Sequence, residues 1–112
     1  MCLGLAVLEM TKPKFTNEKL AGFAKCLSEK GAKLYGTYWC GNCKKQKEMF
    51  QDAVQYLNYI ECDDGKGSMV KECVMNQITA FPTWIINDKR LVGRQEFSAL
   101  EEASGCTLNN QK

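Results

Sequence analysis

The sequence predicts a single α/β domain built on a central mixed β-sheet flanked by helices. Three observations carry that prediction. Residues 32–38 (AKLYGTY) read as a strand that runs straight into a helical pattern and then into a second strand at 58–62 (NYIEC), which makes a βαβ unit with two parallel strands. Residues 83–86 and 91–93, joined by a turn at Asn87-Asp88, read as a late antiparallel hairpin. The length, 112 residues, leaves room for one domain with a small core.

The elements follow in order. Residues 1–15 are read as an N-terminal apolar segment and linker, and residues 16–112 as the domain. The apolar run from Cys2 to Leu8 falls well short of the roughly 20 residues a membrane helix needs. It also lacks the basic start of a signal peptide, so it reads as a first strand or the end of a longer segment. Thr16 or Asn17 is placed to cap a helix that carries Leu20, Phe23, Ala24 and Leu27 on one face, and Gly31 ends it. After the first strand, a helical pattern starts at "CGNC" and extends to about Leu57, with Met49, Phe50, Ala53, Val54 and Leu57 on its apolar side. "DDGKG" (63–67) is a turn, and Ser68 is expected to open a short helix reaching Asn76. Phe81-Pro82 is a break before the hairpin, and residues 98–104 close the chain as a helix with Gly105 at its C-cap. Tyr35, Tyr38, Phe50 and Ile85 are expected in the core; Trp84 fits the core or an exposed rim equally well.

Composition narrows the function. Net charge is +2 with acidic and basic residues interspersed, which gives no single-sign field for nucleic acid or an anionic membrane. The chain has no histidine, which excludes His-assisted catalysis and mixed Cys/His zinc fingers. It has seven cysteines, at 2, 26, 40, 43, 62, 73 and 106, an odd number that leaves at least one free or paired between chains. Such abundance favours an oxidising compartment, although an intracellular redox protein can also carry it.

Cys40-Gly41-Asn42-Cys43 lies where a strand stops and a helix starts. Cys40 then sits at the helix N-terminus, where unpaired N–H groups and the dipole favour a thiolate, the nucleophile of disulfide exchange. Cys43 follows one turn later, within reach of Cys40, and can resolve a mixed disulfide. Gly41 is read as permitting the tight turn, and Asn42 adds no charge. A zinc knuckle would want a second close pair, but Cys62 and Cys73 have ten residues between them, so no metal is expected. Lys44, Lys45 and Lys47 read either as support for the thiolate of Cys40 or as a solvated helix face, the latter preferred.

"YWCGNCKKQKEMF", then "NYIECD", then "FPTWIIN" with a terminal hairpin and helix, resembles the thioredoxin fold. More narrowly, these motifs resemble the thioredoxin-like domain fused to vitamin K epoxide reductase homologues of cyanobacteria and plants. The resemblance covers Leu20 to about Gly105 and implies a cis peptide at Phe81-Pro82 beside Cys40. It further implies a second, structural disulfide between Cys62 and Cys73. Trp39, Phe81 and Trp84 are the candidates for an apolar rim around Cys40, and the resemblance implies that partner proteins bind across it, with the backbone of Phe81 hydrogen-bonding the partner chain. Two departures stand out. General thioredoxins carry a buried carboxylate six residues before the first active-site cysteine, and here that position is Leu34. Oxidising relatives often carry histidine between the cysteines, where this chain has Asn42.

The expected activity is thiol–disulfide exchange with protein partners, with Cys40 and Cys43 catalytic and no cofactor beyond their disulfide. The resemblance implies electron transfer to a membrane quinone-reducing vitamin K epoxide reductase homologue, carried by a separate chain or by a segment outside this sequence. A monomer in the periplasm or thylakoid lumen is the expected setting. A glutaredoxin-like or thioredoxin-like reductase, a zinc module and a non-catalytic interaction module are the alternatives. Cys26 is read as a packing residue, and Cys2 and Cys106 have no assigned role.

Overall fold

Helix α1 (Asn17–Glu29) begins where Thr16 places its hydroxyl to accept the N–H of Lys19 at 3.2 Å, which satisfies one of the orphan donors of the first turn. Its buried face is Leu20, Phe23, Ala24 and Leu27, at the spacing the sequence predicts. These features come from a computed structural model that describes residues 16–108. The apolar segment 1–15, its expected strand and Cys2 lie outside the described residues, as do 109–112.

Four short strands follow among the described residues: β1 (Lys33–Gly36), β2 (Tyr59–Glu61), β3 (Thr83–Ile86) and β4 (Lys89–Val92). They form one sheet in the order β2-β1-β3-β4. β1 pairs parallel with β2, with Leu34 opposite Tyr59 and Gly36 opposite Glu61. It pairs antiparallel with β3, with Leu34 opposite Trp84. Asn87 and Asp88, at φ 50° and 66°, make the hairpin turn between β3 and β4. Side chains alternate across the sheet. Leu34, Trp84 and Ile86 join the larger core with Phe23, Leu27, Phe50 and Leu100. Tyr35 lies in a smaller core on Cys62, Cys73 and Ile78, with Ile60 and Ile85 packed against it. A mixed four-stranded sheet flanked by helices is a thioredoxin-like α/β fold.

Local departures from the expected elements have physical causes. The helix after the cysteine pair is α2 (Gly41–Met49), and a 3₁₀ helix (Gln51–Tyr56) replaces its expected continuation to Leu57. Gln51 has φ 51°, a left-handed conformation that an α-helix cannot contain. Phe50, fully buried, packs there between the rings of Phe23, Trp84 and Phe97, at 6.1, 6.1 and 5.2 Å. Helix α3 (Lys71–Met75) starts later than Ser68. Asp64 Oδ1 accepts the N–H groups of Lys66 and Ser68, and Asp64 N–H donates to Ser68 O, which closes that segment as a turn. Tyr38 is exposed rather than core (67% of its surface), because β1 ends at Gly36 and the chain turns away from the sheet. Helix α4 (Phe97–Ser104) ends at Gly105, whose φ of 85° makes the left-handed C-cap.

Among the described residues two disulfides bind the frame. Cys62 and Cys73 are joined, closing a separation of 11 residues. Cys26 and Cys106 are joined across 80 residues, tying α1 to the segment after α4. Cys26 packs against the larger core as expected, but as half of a disulfide, and Cys106 gains a partner. Spacing along the chain holds no information about two sites so far apart.

Candidate active site

Cys40 is the N-cap residue of α2, in extended conformation, and its Sγ accepts the N–H of Cys43 at 3.3 Å. The two are the free cysteines among the described residues. They differ sharply in access: Cys40 is partly exposed, whereas Cys43 is 1% exposed. The thiol of Cys40 donates to the carbonyl of Phe81 at 3.6 Å, and the Phe81-Pro82 peptide is cis. That carbonyl, expected to receive a partner chain, therefore faces the exposed sulfur.

Trp39 projects from the turn before α2 and is 60% exposed. Its indole N–H donates to Asp63 Oδ2, and its ring meets Phe81 edge-on at 6.0 Å. The hydrogen bond from Trp39, and then one from Gly65 N–H, hold the Asp63 carboxyl below the usual range. Trp39 and Phe81 thus form an apolar rim beside Cys40. Trp84 belongs to the core instead, 1% exposed, with its indole N–H on Gln46 Oε1 at 3.0 Å. A cavity of about 300 Å³ opens between the rim and the 63–69 turn, lined also by Thr37 and Met69. Thr37 Oγ1 is buried there without a hydrogen-bond partner.

Gly41 and Asn42 are exposed in the first turn of α2. A Cβ on Gly41 would meet nothing within 4 Å, so the tight turn does not require glycine at that position. The sterically required glycine is Gly36, which sequence reading passed over. A Cβ there would stand 2.8 Å from Cys43 Sγ and 3.2 Å from Tyr59 Cε1. Glycine inside a strand is a recognised mark of close approach, and it was the available signal.

Burial pushes the Cys43 thiol up to about 12, and its hydrogen bond and charge interaction with Cys40 push the same way. A hydrogen bond from the Thr37 backbone and the charge of Lys47 pull it down. Tyr59, beside Cys43, is raised by burial first and then by its hydrogen bond to Glu61. Lys47 Nζ lies 4.1 Å from the centre of the Tyr59 ring. Tyr59, Glu61 and the role of Lys47 at Cys43 depend on strand register, which the sequence does not display. Among the described residues no cluster of three or more Cys, Asp or Glu side chains is arranged to hold a metal.

No protein-family model matches the chain. It is similar to a thiol-disulfide oxidoreductase, LTO1, of Arabidopsis thaliana, 50% identical over 91 residues. The match covers 77% of this chain and 24% of the relative. The chain therefore spans about a quarter of the length of the curated relative it matches.

Proposed function

We propose that the protein is a thiol–disulfide oxidoreductase that exchanges disulfides with protein partners through Cys40 and Cys43. The observation that carries this reading is the asymmetry of the pair. One sulfur is accessible at a helix N-terminus, and the other is buried one turn on with its N–H against the first. Cys40 forms the mixed disulfide with a partner, and Cys43 resolves it. In the oxidising direction a partner thiolate attacks Cys40 and Cys43 leaves. The other four cysteines among the described residues are locked in disulfides and do not compete. The chemistry needs no cofactor beyond the dithiol couple. Similarity to a relative named for this activity supports the reading.

The finer proposal is that the couple serves oxidative protein folding in the periplasm or thylakoid lumen and passes electrons to a quinone-reducing membrane protein of the vitamin K epoxide reductase type. Support comes from the run of motifs around "YWCGNC" and "FPTW" and from the two disulfides, which persist in oxidising compartments. Among the described residues no helix is long and apolar enough to cross a membrane.

The deciding experiment is the reduction potential of Cys40-Cys43 in glutathione buffers, followed by Trp39 fluorescence, with Cys43→Ser as the trap for mixed disulfides. A potential of about −120 to −200 mV supports the oxidising role, and one near about −270 mV makes the protein a reductase. Absence of a reversible transition, with no adduct trapped on Cys43→Ser, would sink the exchange reading altogether.

A further inference from the structure

Cys43 must carry negative charge in either direction of exchange, as the attacking thiolate or as the leaving one, yet it is 1% exposed. Burial of a charge without compensation is costly, so some group has to answer it. Lys47 follows Cys43 by one helical turn on α2, the spacing at which side chains share a face. Its ammonium is parked 4.1 Å from the centre of the Tyr59 ring. That ring flanks the same gap as Cys43 Sγ, since both border the vacant Cβ position of Gly36.

The platform is held in place. Tyr59 O–H donates to Glu61 Oε1 at 2.8 Å, and Glu61 Oε2 accepts the N–H groups of Tyr38 at 3.0 Å and Asp63 at 3.3 Å. Lys44 and Lys45, by contrast, point outward and are exposed.

We propose that Lys47, docked on the Tyr59 ring, is the positioning residue that answers the negative charge of Cys43 during disulfide exchange. The proposal rests on the exchange reading above and adds a residue to it. In resolution, Cys43 loses its proton to solvent, its thiolate attacks Cys40 Sγ, the Cys40–Cys43 bond forms, and the Cys40–partner bond breaks. The partner leaves as a thiolate with the electron pair, so the partner sulfur is reduced and the couple oxidised. The direction of the Lys47 effect on Cys43, a lowering, agrees with this role. The titratable groups that face Cys43 are Cys40 and Lys47 from α2 and Tyr59 from β2, with Glu61 behind Tyr59. Tyr59, raised above its ordinary value, stays neutral through the pH range of exchange.

The test uses the full chain with Cys2→Ser as the parent, so that Cys40 and Cys43 are its reactive thiols, and with that pair reduced it is treated with Ellman's reagent. The first thionitrobenzoate released reports the adduct on Cys40, and the second reports resolution by Cys43, followed against pH by stopped flow. Lys47→Met is expected to slow the second release about three- to tenfold at neutral pH and to displace its pH profile upward. Lys47→Arg should restore the profile, and Lys45→Met should track the parent. A Lys47→Met profile that superimposes on that of the parent would overturn the proposal, as would equal slowing by Met and Arg with no displacement. If the parent gives no second release, the exchange reading itself fails and Lys47 fails with it. A normal second release that Lys47→Met does not alter removes Lys47 alone.

Discussion

The backbone of Gly36 is the floor beneath the buried thiol of Cys43: a Cβ on Gly36 would stand 2.8 Å from that sulfur. Real Cβ atoms do not approach so closely, and Tyr59 closes the other side at 3.2 Å. Gly36→Ala must therefore push the sulfur, the ring or the strand aside. Overpacking of this kind costs about 1–3 kcal/mol. The urea midpoint of the reduced protein should fall, with an unchanged slope. Resolution should slow as well, because the displaced sulfur is the one that attacks Cys40. A variant as stable as the parent would mean that the sulfur has room to move.

Cys43 gives the reduced protein a pH dependence that can be isolated. Its folded-state value, about 12, lies above the ordinary thiol value of about 8.5. Between those values the unfolded chain has lost a proton that the folded chain keeps, so stability is full below the lower value and falls as pH rises towards the upper one. The comparison to make is Cys40→Ser against Cys40→Ser/Cys43→Ser, because burial, the largest cause of the shift, persists when Cys40 is gone. The single variant should lose stability relative to the double as pH rises from about 9, measured by denaturant midpoints. Parallel curves would show that Cys43 is not held neutral by the fold.

How far the sequence discloses all this depends on the range of the interaction. The cysteine pair at a strand–helix junction is legible because the apolar period changes from two to about 3.6 at "CGNC", a local signal. The break at Gln51 is hidden, since Met49, Phe50, Ala53, Val54 and Leu57 keep helical spacing through it. Tyr38 reads as a strand residue by type, yet the chain has already left the sheet when it is reached. The Cys26–Cys106 bond and the Gly36–Tyr59–Lys47 grouping arise only when distant segments are brought together. Spacing encodes neither, and parallel register places Tyr59 beside the thiol without any mark in its own neighbourhood.

The two disulfides should differ in what their loss costs. In the chain-entropy model a bridge across 80 residues restricts the unfolded chain more than one across 11, giving about 4.5 against about 3 kcal/mol. Cys26→Ser/Cys106→Ser should therefore lower the Tm more than Cys62→Ser/Cys73→Ser. Thermal unfolding of both variants at one pH tests the order. The reverse order would locate the benefit of Cys62–Cys73 in the smaller core, where both residues are fully buried with Tyr35 and Ile78.

Gln46 is a polar residue in a helix whose sequence gives no hint of burial, yet it is fully enclosed. Its Oε1 accepts the indole N–H of Trp84 at 3.0 Å and the backbone N–H of Gln95 at 2.7 Å, while its Nε2 donates to the carbonyl of Gln95 at 3.1 Å. One side chain thus ties α2 to β3 and to the segment that leads into α4. Gln46→Leu keeps the volume and removes these three bonds together with the weak one from Nε2 to Met49 Sδ at 3.5 Å, leaving two donors and an acceptor on Trp84 and Gln95 without their protein partner. Each such group costs about 1–3 kcal/mol when buried, and relaxation at the partly buried Gln95 reduces the sum. The expected loss is about 2–4 kcal/mol, read from denaturant midpoints. The reactivity of Cys40 towards Ellman's reagent should be preserved, because the Gln46 side chain takes no part in the N-cap contact between Cys40 and Cys43. Little loss of stability would show that water reaches these groups and takes the place of the amide. A loss of Cys40 reactivity would show instead that the amide holds the start of α2 in place, and the role of Gln46 would then extend to the active pair.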